Sequence, residues 1–276
     1  MTYNELLARL KRVTPEDFAF EAKVLAETFT NFKISYLIVN KDTELDSIEL
    51  ERALEARERH IPLQYVVGKW DFYGQTYFVD ENCLIPRQDT ELLVELAIKL
   101  LPQGAHFADL CTGSGCVAIS TLCEREDTTA IAVDKFAGTL DIAKKNAEYN
   151  GVSNRVSMKL ADLLLPSDAF ENEQFDAILS NPPYIRSKVI DTLSKEVRRE
   201  PHAALDGGED GLIFYRRFIS DFSQYLKKDG FMLFEIGYDQ ADDIKSICEK
   251  VGASCEIYKD YGGNDRVVKI FGFGYE

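Results

Sequence analysis

"HFADLCTGSGCVAISTLCE", residues 106–124, decides the fold. An apolar run of strand length breaks at a turn carrying Gly113 and Gly115, then resumes with helical spacing from Cys116. That is a buried strand, a tight turn and a helix: the opening half of a βαβ unit. The alternation continues. "TAIAVD" (129–134), "VSMKLAD" (156–162), "FDAILS" (175–180) and "GFMLFEIG" (230–237) read as strands. "GTLDIAKKNAEYN" (138–150), "GLIFYRRFISDFSQYLKK" (211–228) and "QADDIKSICEKVG" (240–252) read as helices between them. Strict alternation predicts a mainly parallel, doubly wound α/β sheet. "SCEIYKD" (254–260) and "RVVKIFGF" (266–273) follow each other without a helix, which predicts an antiparallel edge hairpin.

Upstream, residues 1–68 read as a small all-α domain. "TPEDFAFEAKVLAETF" (14–29) carries a start signal in Thr14 as cap and Pro15 at the first helical position, with Phe18, Ala22, Leu25, Ala26 and Phe29 on one face. "DSIELERALEARERH" (46–60) repeats it, with Asp46 as cap and Ile48, Leu50, Ala53 and Leu54 inward. In 69–86, aromatics flank Gly74-Gln75 as in a short hairpin linker. Asp89 or Thr90 then caps a helix ending near Gly104, which begins a third region, 87–276.

Composition narrows the function. The net charge of −15 argues against a protein that wraps nucleic acid, whose affinity comes largely from neutralised phosphates. No apolar run approaches the roughly 18 residues of a membrane span, and "MTYNELLARLKRV" mixes charge into its apolar positions as an amphipathic helix does, not a signal peptide. Six cysteines without a C-x-x-C pair and three scattered histidines predict no metal site and a reducing cytoplasm.

Three acids fall at three successive strand ends: Asp109, Asp134 and Asp162. In a doubly wound sheet these ends line one crevice at the topological switch point. The turn 111–115 (Cys111, Thr112, Gly113, Ser114, Gly115) gives close backbone approach and free N–H groups at a helix start. Ala118 stands where a dinucleotide fingerprint has its third glycine, which tells against a dinucleotide. Asp134 is placed to accept both hydroxyls of a ribose; Asp162 and Leu163 offer an adenine edge a carboxylate and an apolar wall. A ribose and an adenine without a full pyrophosphate site describe S-adenosyl-L-methionine.

"LSNPPYIRS" (179–187) ends the strand that should adjoin the first. Two prolines cannot serve a central strand, so the chain leaves the sheet at Asn181 and makes a stiff turn. A planar nitrogen is a poor nucleophile because its lone pair is delocalised. Two acceptors gripping its N–H₂, the Asn181 carboxamide oxygen and the Pro182 carbonyl, would turn that lone pair toward a methyl group. Tyr184 supplies a flat wall beside them.

N-P-P-Y after this strand resembles methyltransferases that act on planar nitrogens. Together with "PLQYVVGKWDFYGQTYFVDENCLIPRQDTELLVE" (62–95), "DLCTGSGCVAIS" (109–120), "EPHAALDGGEDGL" (200–212) and "GGNDRVV" (262–268), it resembles the HemK/PrmC family over nearly the whole chain. The resemblance implies a seven-stranded class I SAM-dependent methyltransferase domain of Rossmann-like type. It implies methylation of the side-chain N5 of the glutamine in the Gly-Gly-Gln loop of class I peptide chain release factors, with the helical domain helping to bind the factor. By position it puts Cys111, Thr112, Gly113, Ser114, Gly115, Asp134, Leu163 and Asn181 at the cofactor, and Asn181, Pro182, Pro183 and Tyr184 at the glutamine. Cys111 stands where glycine is common and Leu163 where an aromatic often occurs. The small thiol should not hinder binding; the leucine should stack less well on adenine. In "PRQDTE" (86–91), Arg87 and Glu91 either shape the glutamine entrance or cap and solvate the helix. A ribosomal-protein glutamine methyltransferase, an adenine-N6 DNA methyltransferase and a non-catalytic binding module are the rival readings. Nothing in the sequence requires a dimer, so a monomer is expected.

Overall fold

The computed structural model describes residues 1–165 and 170–274; the expected end of the last region, at 276, lies outside them. The chain divides into two compact units, one of residues 1–69 with 194–199, the other of 70–193 with 200–276.

The first unit contains α1 (Tyr3–Val13), α2 (Phe18–Phe29), α3 (Ile34–Val39), α4 (Ile48–Glu58) and α5 (Leu63–Val67). A reciprocal cap starts α1: Thr2 Oγ1 accepts from the Glu5 N–H at 3.2 Å, and the Glu5 carboxylate accepts from the Thr2 N–H at 2.7 Å. Leu6, Leu10, Leu25, Ala26, Leu50 and Leu54 are fully buried in its core. Inside it, Arg57 donates to both oxygens of Glu21 at 2.7 Å and to Glu196 at 2.6 Å. Glu196 belongs to the short segment 194–199, which folds with this unit although it is 139 residues from Arg57 in sequence.

Two helix starts differ from expectation. Thr14 does not begin α2; it ends α1, donating its N–H to Leu10 O at 2.8 Å, and α2 starts only at Phe18. Ser47, not Asp46, caps α4, its hydroxyl accepting from the Leu50 N–H at 3.1 Å. Ile48 then faces outward, 67% exposed, rather than inward.

From Trp70 the second unit opens on the hairpin of β1 (Lys69–Phe72) and β2 (Gln75–Phe78), turning at Tyr73-Gly74. It continues α6 (Glu91–Leu100), β3 (His106–Leu110), α7 (Cys116–Glu124), β4 (Thr129–Asp134), α8 (Ala137–Tyr149), β5 (Val156–Leu160), β6 (Phe175–Ser180), α9 (Ser187–Ile190), α10 (Ile213–Asp221), β7 (Leu226–Glu235), α11 (Ala241–Lys250), β8 (Ser254–Lys259) and β9 (Asp265–Phe271). The seven-stranded sheet has the order β5-β4-β3-β6-β7-β9-β8. The first five strands run parallel, and β9 is antiparallel to both its neighbours, so the closing hairpin forms as expected.

Side-chain alternation along the strands builds two cores. Phe107, Ala177, Leu179 and Leu233 point to the face covered by α6, α7 and α8; Ala108, Ile178, Met232 and Phe234 point to the face covered by α10 and α11. The hairpin is anchored to the first of these layers. Tyr77, fully buried, shares a 2.6 Å hydrogen bond with Ser120 of α7. The Asn146 carboxamide of α8 holds Phe78 by its N–H at 2.7 Å and its carbonyl at 3.0 Å.

The helix expected over 211–228 is shorter. α10 stops at Asp221, a 3₁₀ turn spans Ser223–Tyr225, and Leu226 already pairs with Phe175 in the sheet. Helical spacing ran on through these residues, but strand pairing captured the last of them. Among the described residues, no helix is long and apolar enough to cross a membrane.

Candidate active site

Chain order runs β3, β4, β5 outward on one side of β3 and then returns to place β6 on the other side. Loops therefore diverge between β3 and β6, and a crevice opens at their carboxyl ends. There lies a cavity of about 390 Å³, lined among others by Cys111, Gly113, Asp134, Asp162, Leu163, Asn181 and Pro183. They come from the ends of four strands, β3, β4, β5 and β6, or from the turns beyond them.

The first turn is held from beneath. Asp109, 1% exposed, accepts from the Thr112 hydroxyl at 2.6 Å and from the Ala118 N–H at 3.2 Å, both on Oδ2. Its Oδ1 meets no partner among the described residues. Burial pushes this carboxyl up to about 7, against those two hydrogen bonds. Asp109, Thr112, Ser114 and Gly115 do not line the cavity; they shape the loop that does. Gly115 must be glycine twice over. Its φ is +82°, and a Cβ there would sit 2.7 Å from Ile119 Cδ1 and 3.3 Å from Ala143 Cβ. Cys111 has a φ of +57°, a left-handed conformation that costs any side chain roughly 1 kcal/mol or more. The price of a cysteine at this position is therefore conformational, not one of size.

Asp134 ends β4 and faces the cavity. Its Oδ2 accepts from the Gly113 N–H and its Oδ1 from the Phe136 N–H, each at 3.1 Å. Burial raises its pKa and these backbone donors oppose the rise. Phe136 lines the same wall with nearly half its surface exposed. Asp162 is held by Lys135, Nζ to Oδ2 at 2.8 Å, which lowers its pKa. Leu163 beside it is buried at 4% exposure.

Asn181 follows β6. Its Nδ2 donates to the Thr90 hydroxyl at 3.0 Å, and Thr90 donates to Glu235 Oε2 at 2.6 Å. Tyr184 completes the cluster, its hydroxyl 3.2 Å from Glu235 Oε1. Tyr184 and Pro182 do not line the cavity, whereas Asn181 and Pro183 do. The stiffness of the turn has a second source besides proline. Ile185 N–H donates to Leu205 O at 3.0 Å, Gly207 N–H to Ile185 O at 2.9 Å, and Gln240 Nε2 to Tyr184 O at 3.1 Å. Gly207 and Gly211 make this clasp possible: a Cβ would lie 2.7 Å from Tyr184 Cα in one case and 2.4 Å from Tyr184 O in the other.

Arg87 is elsewhere. It forms an ion pair with buried Glu200, which also accepts from the Ile85 N–H at 3.1 Å, and it is not among the cavity residues. Glu91 accepts from the Tyr73 N–H at 2.9 Å and so pins the hairpin. Thr90, Phe136 and Glu235 were missed in the sequence. Thr90 passed as a helix cap; Glu235 was legible only as a lone acid at the end of an apolar strand.

A switch-point crevice with an acid at the end of the second parallel strand, on a seven-stranded sheet of this order, defines a class I methyltransferase. Residues 88–233 match the methyltransferase small domain, and residues 2–68 match the PrmC N-terminal domain. A methyltransferase of Pyrococcus furiosus shares the fold, with a TM-score of 0.55 at 20% identity over 72% of this chain and 89% of that one. The release factor glutamine methyltransferase of Geobacter sulfurreducens is 38% identical over 237 residues, 84% of this chain and 82% of its own. That of Agrobacterium fabrum is 35% identical over 280 residues, 96% and 95%. The chain belongs to the HemK/PrmC family of release factor glutamine methyltransferases.

Proposed function

We propose that this chain transfers a methyl group from S-adenosyl-L-methionine to the side-chain N5 of the glutamine in the Gly-Gly-Gln loop of class I peptide chain release factors. The observation that carries it is Asn181: its amide nitrogen is tied to Thr90, which leaves Oδ1 as an acceptor at the cavity. Among the described residues no donor meets that oxygen. The relatives named as release factor glutamine methyltransferases support the choice of substrate.

The residues fit the cofactor. The cavity is within the roughly 300–1,000 Å³ range of small-molecule sites. Asp134 would hold the ribose hydroxyls and Gly113 would let the ligand approach the backbone. Asp162 and Leu163 would receive the adenine, with Phe136 supplying the aromatic surface that Leu163 lacks. Bound there, the cofactor supplies an electrophilic methyl on a sulfonium and leaves as S-adenosyl-L-homocysteine. Asn181 Oδ1 and the Pro182 carbonyl would accept the two hydrogens of the glutamine amide and turn its lone pair out of conjugation. Pro183 and Tyr184 hold that pair of acceptors in place.

The domains follow: a helical region 1–68 that contacts the factor, a hairpin linker 69–86 and a catalytic region 87–276. A monomer acting in the cytoplasm, without nucleic acid, completes the reading. The test is incubation with labelled cofactor, a class I release factor and its loop Gln→Ala variant. Label in the wild-type factor alone supports the reading; label in neither, with cofactor binding intact, overturns the substrate and leaves the fold. Asn181→Ala should cut turnover while leaving cofactor binding in place.

A further inference from the structure

In "PRQDTE" neither Arg87 nor Glu91 reaches the cavity. Thr90, between them, is 1% exposed and touches Asn181 directly. Its hydroxyl owns one hydrogen. A carboxylate only accepts, so that hydrogen goes to Glu235 Oε2 at 2.6 Å. The Thr90 oxygen must then accept from Asn181, and only the Nδ2 end of the amide can donate. A flipped amide would set Oδ1 against an oxygen with no hydrogen left to give.

Glu235 is held at the last position of β7, 1% exposed. Arg266 of β9 faces it, shared with Asp89 and Asp260 at 3.2 Å each. Tyr184 donates to its Oε1, and Tyr215 of α10 donates to its backbone carbonyl at 2.8 Å. Cys116, at the start of α7, is another titratable neighbour.

We propose that Thr90 and Glu235 are positioning residues that fix which end of the Asn181 amide meets the substrate, and that Glu235 must be ionised for them to do so. The inference rests on the proposed amide methylation. Protonated, Glu235 would bring a hydrogen of its own. Thr90 would accept that hydrogen and donate to Asn181, whose amide would turn over and present N–H₂ where an acceptor is needed. Burial pushes the Glu235 carboxyl up to about 7, while Thr90, Arg266 and Tyr184 pull it back. Turnover should therefore fall as pH drops through the neutral range.

Two readouts test this. The first is kcat against pH, with the release factor saturating, for the wild type, Thr90→Ser, Thr90→Val and Glu235→Gln. Thr90→Val should lose roughly 10- to 100-fold in kcat with the cofactor Kd unchanged, and Thr90→Ser should keep most of it. The wild type should show an acidic limb near neutrality that Glu235→Gln lacks. A flat wild-type profile, or wild-type kcat in Thr90→Val, overturns the proposal. The second is the Asn181 side-chain N–H₂ pair followed by NMR across the same pH range, which needs no turnover. Its shifts should titrate near neutrality in the wild type and not in Glu235→Gln; shifts that do not move in the wild type also overturn it. If no release factor is labelled, the substrate reading has failed and the NMR result still decides the relay.

Discussion

Gly207→Ala tests whether the backbone clasp on the Asn-Pro-Pro-Tyr turn matters to catalysis. Gly207 does not have a positive φ, so alanine brings no left-handed strain there. The added Cβ would lie 2.7 Å from Tyr184 Cα and 2.8 Å from Pro183 O, against the 3.4 Å at which ordinary contact begins. Both neighbours are backbone, so the turn must retreat by about 0.7 Å. A displacement of 1 Å at reacting groups costs on the order of 100-fold, so kcat should fall roughly 10- to 100-fold. Cofactor Kd should stay within about twofold, because Asp134 ends β4 and Gly113 lies in the turn after β3, away from the substitution. Overpacking should also cost about 1–3 kcal/mol of stability, visible as a lower Tm. Gly252→Ala is the control. Its φ is +71° with open space around it, so it carries a conformational cost of about 1 kcal/mol without touching the turn. Steady-state kinetics, calorimetric cofactor titration and thermal melts on both variants make the comparison. A Gly207→Ala enzyme with lowered Tm and unaltered kcat would refute the reasoning, since the clasp would then be structural only.

Asp134→Ala should weaken cofactor binding at least tenfold, as charge-assisted hydrogen bonds are worth about 1.5–3 kcal/mol each; an unchanged Kd by titration would remove the ribose assignment. Cys111→Gly should raise stability by about 1 kcal/mol in chemical denaturation, because glycine adopts the φ of +57° without strain; a loss would show the half-buried thiol contributes more than its backbone costs. Asp109→Asn separates charge from shape. The Asp109 carboxyl rises in the fold from 3.8 to about 7, so its contribution to stability is full below about pH 4 and lost as pH rises through 7. Near pH 8 the variant should gain on the wild type by a few kcal/mol at most, and near pH 5 by much less; a Tm difference independent of pH would sink the idea.

The sheet was legible because its strands alternate with helices and the central strands β3, β4 and β6 are largely apolar and buried. "FDAILS" and "TAIAVD" match their strands residue for residue, as "CVAISTLCE" matches its helix. Helix ends were less legible. A Thr-Pro-Glu-Asp start signal lost to the need of the preceding helix for a C-terminal partner, and no local pattern weighs those two against each other. The cavity residues Gly113, Asp134, Leu163 and Asn181 could be found because each ends a strand or lies within three residues of one. Glu196, Glu235 and Gly207 could not: the first completes an ion pair 139 residues away and the others support the Asn181 turn from other elements.

The placement of Glu235 also bears on why position 181 is an amide rather than an acid. Four carboxylates already crowd the strand ends: Asp109, Asp134, Asp162 and Glu235. Burial raises the pKa of Asp109 and of Glu235, with Asp134 and Asp89 adding to the rise, so charge is already costly to hold here. A carboxylate at 181 would add another anion near Glu235 and would have no N–H₂ for Thr90. Thr90 has one hydrogen for two acceptors, so one of them would face an oxygen unpaired. Asparagine offers the acceptor that methyl transfer to an amide requires while donating inward to the hydroxyl that Glu235 occupies. On the proposed mechanism the same carboxamide would satisfy the buried network and keep its oxygen for the substrate, which neither aspartate nor a plain Pro-Pro turn would do.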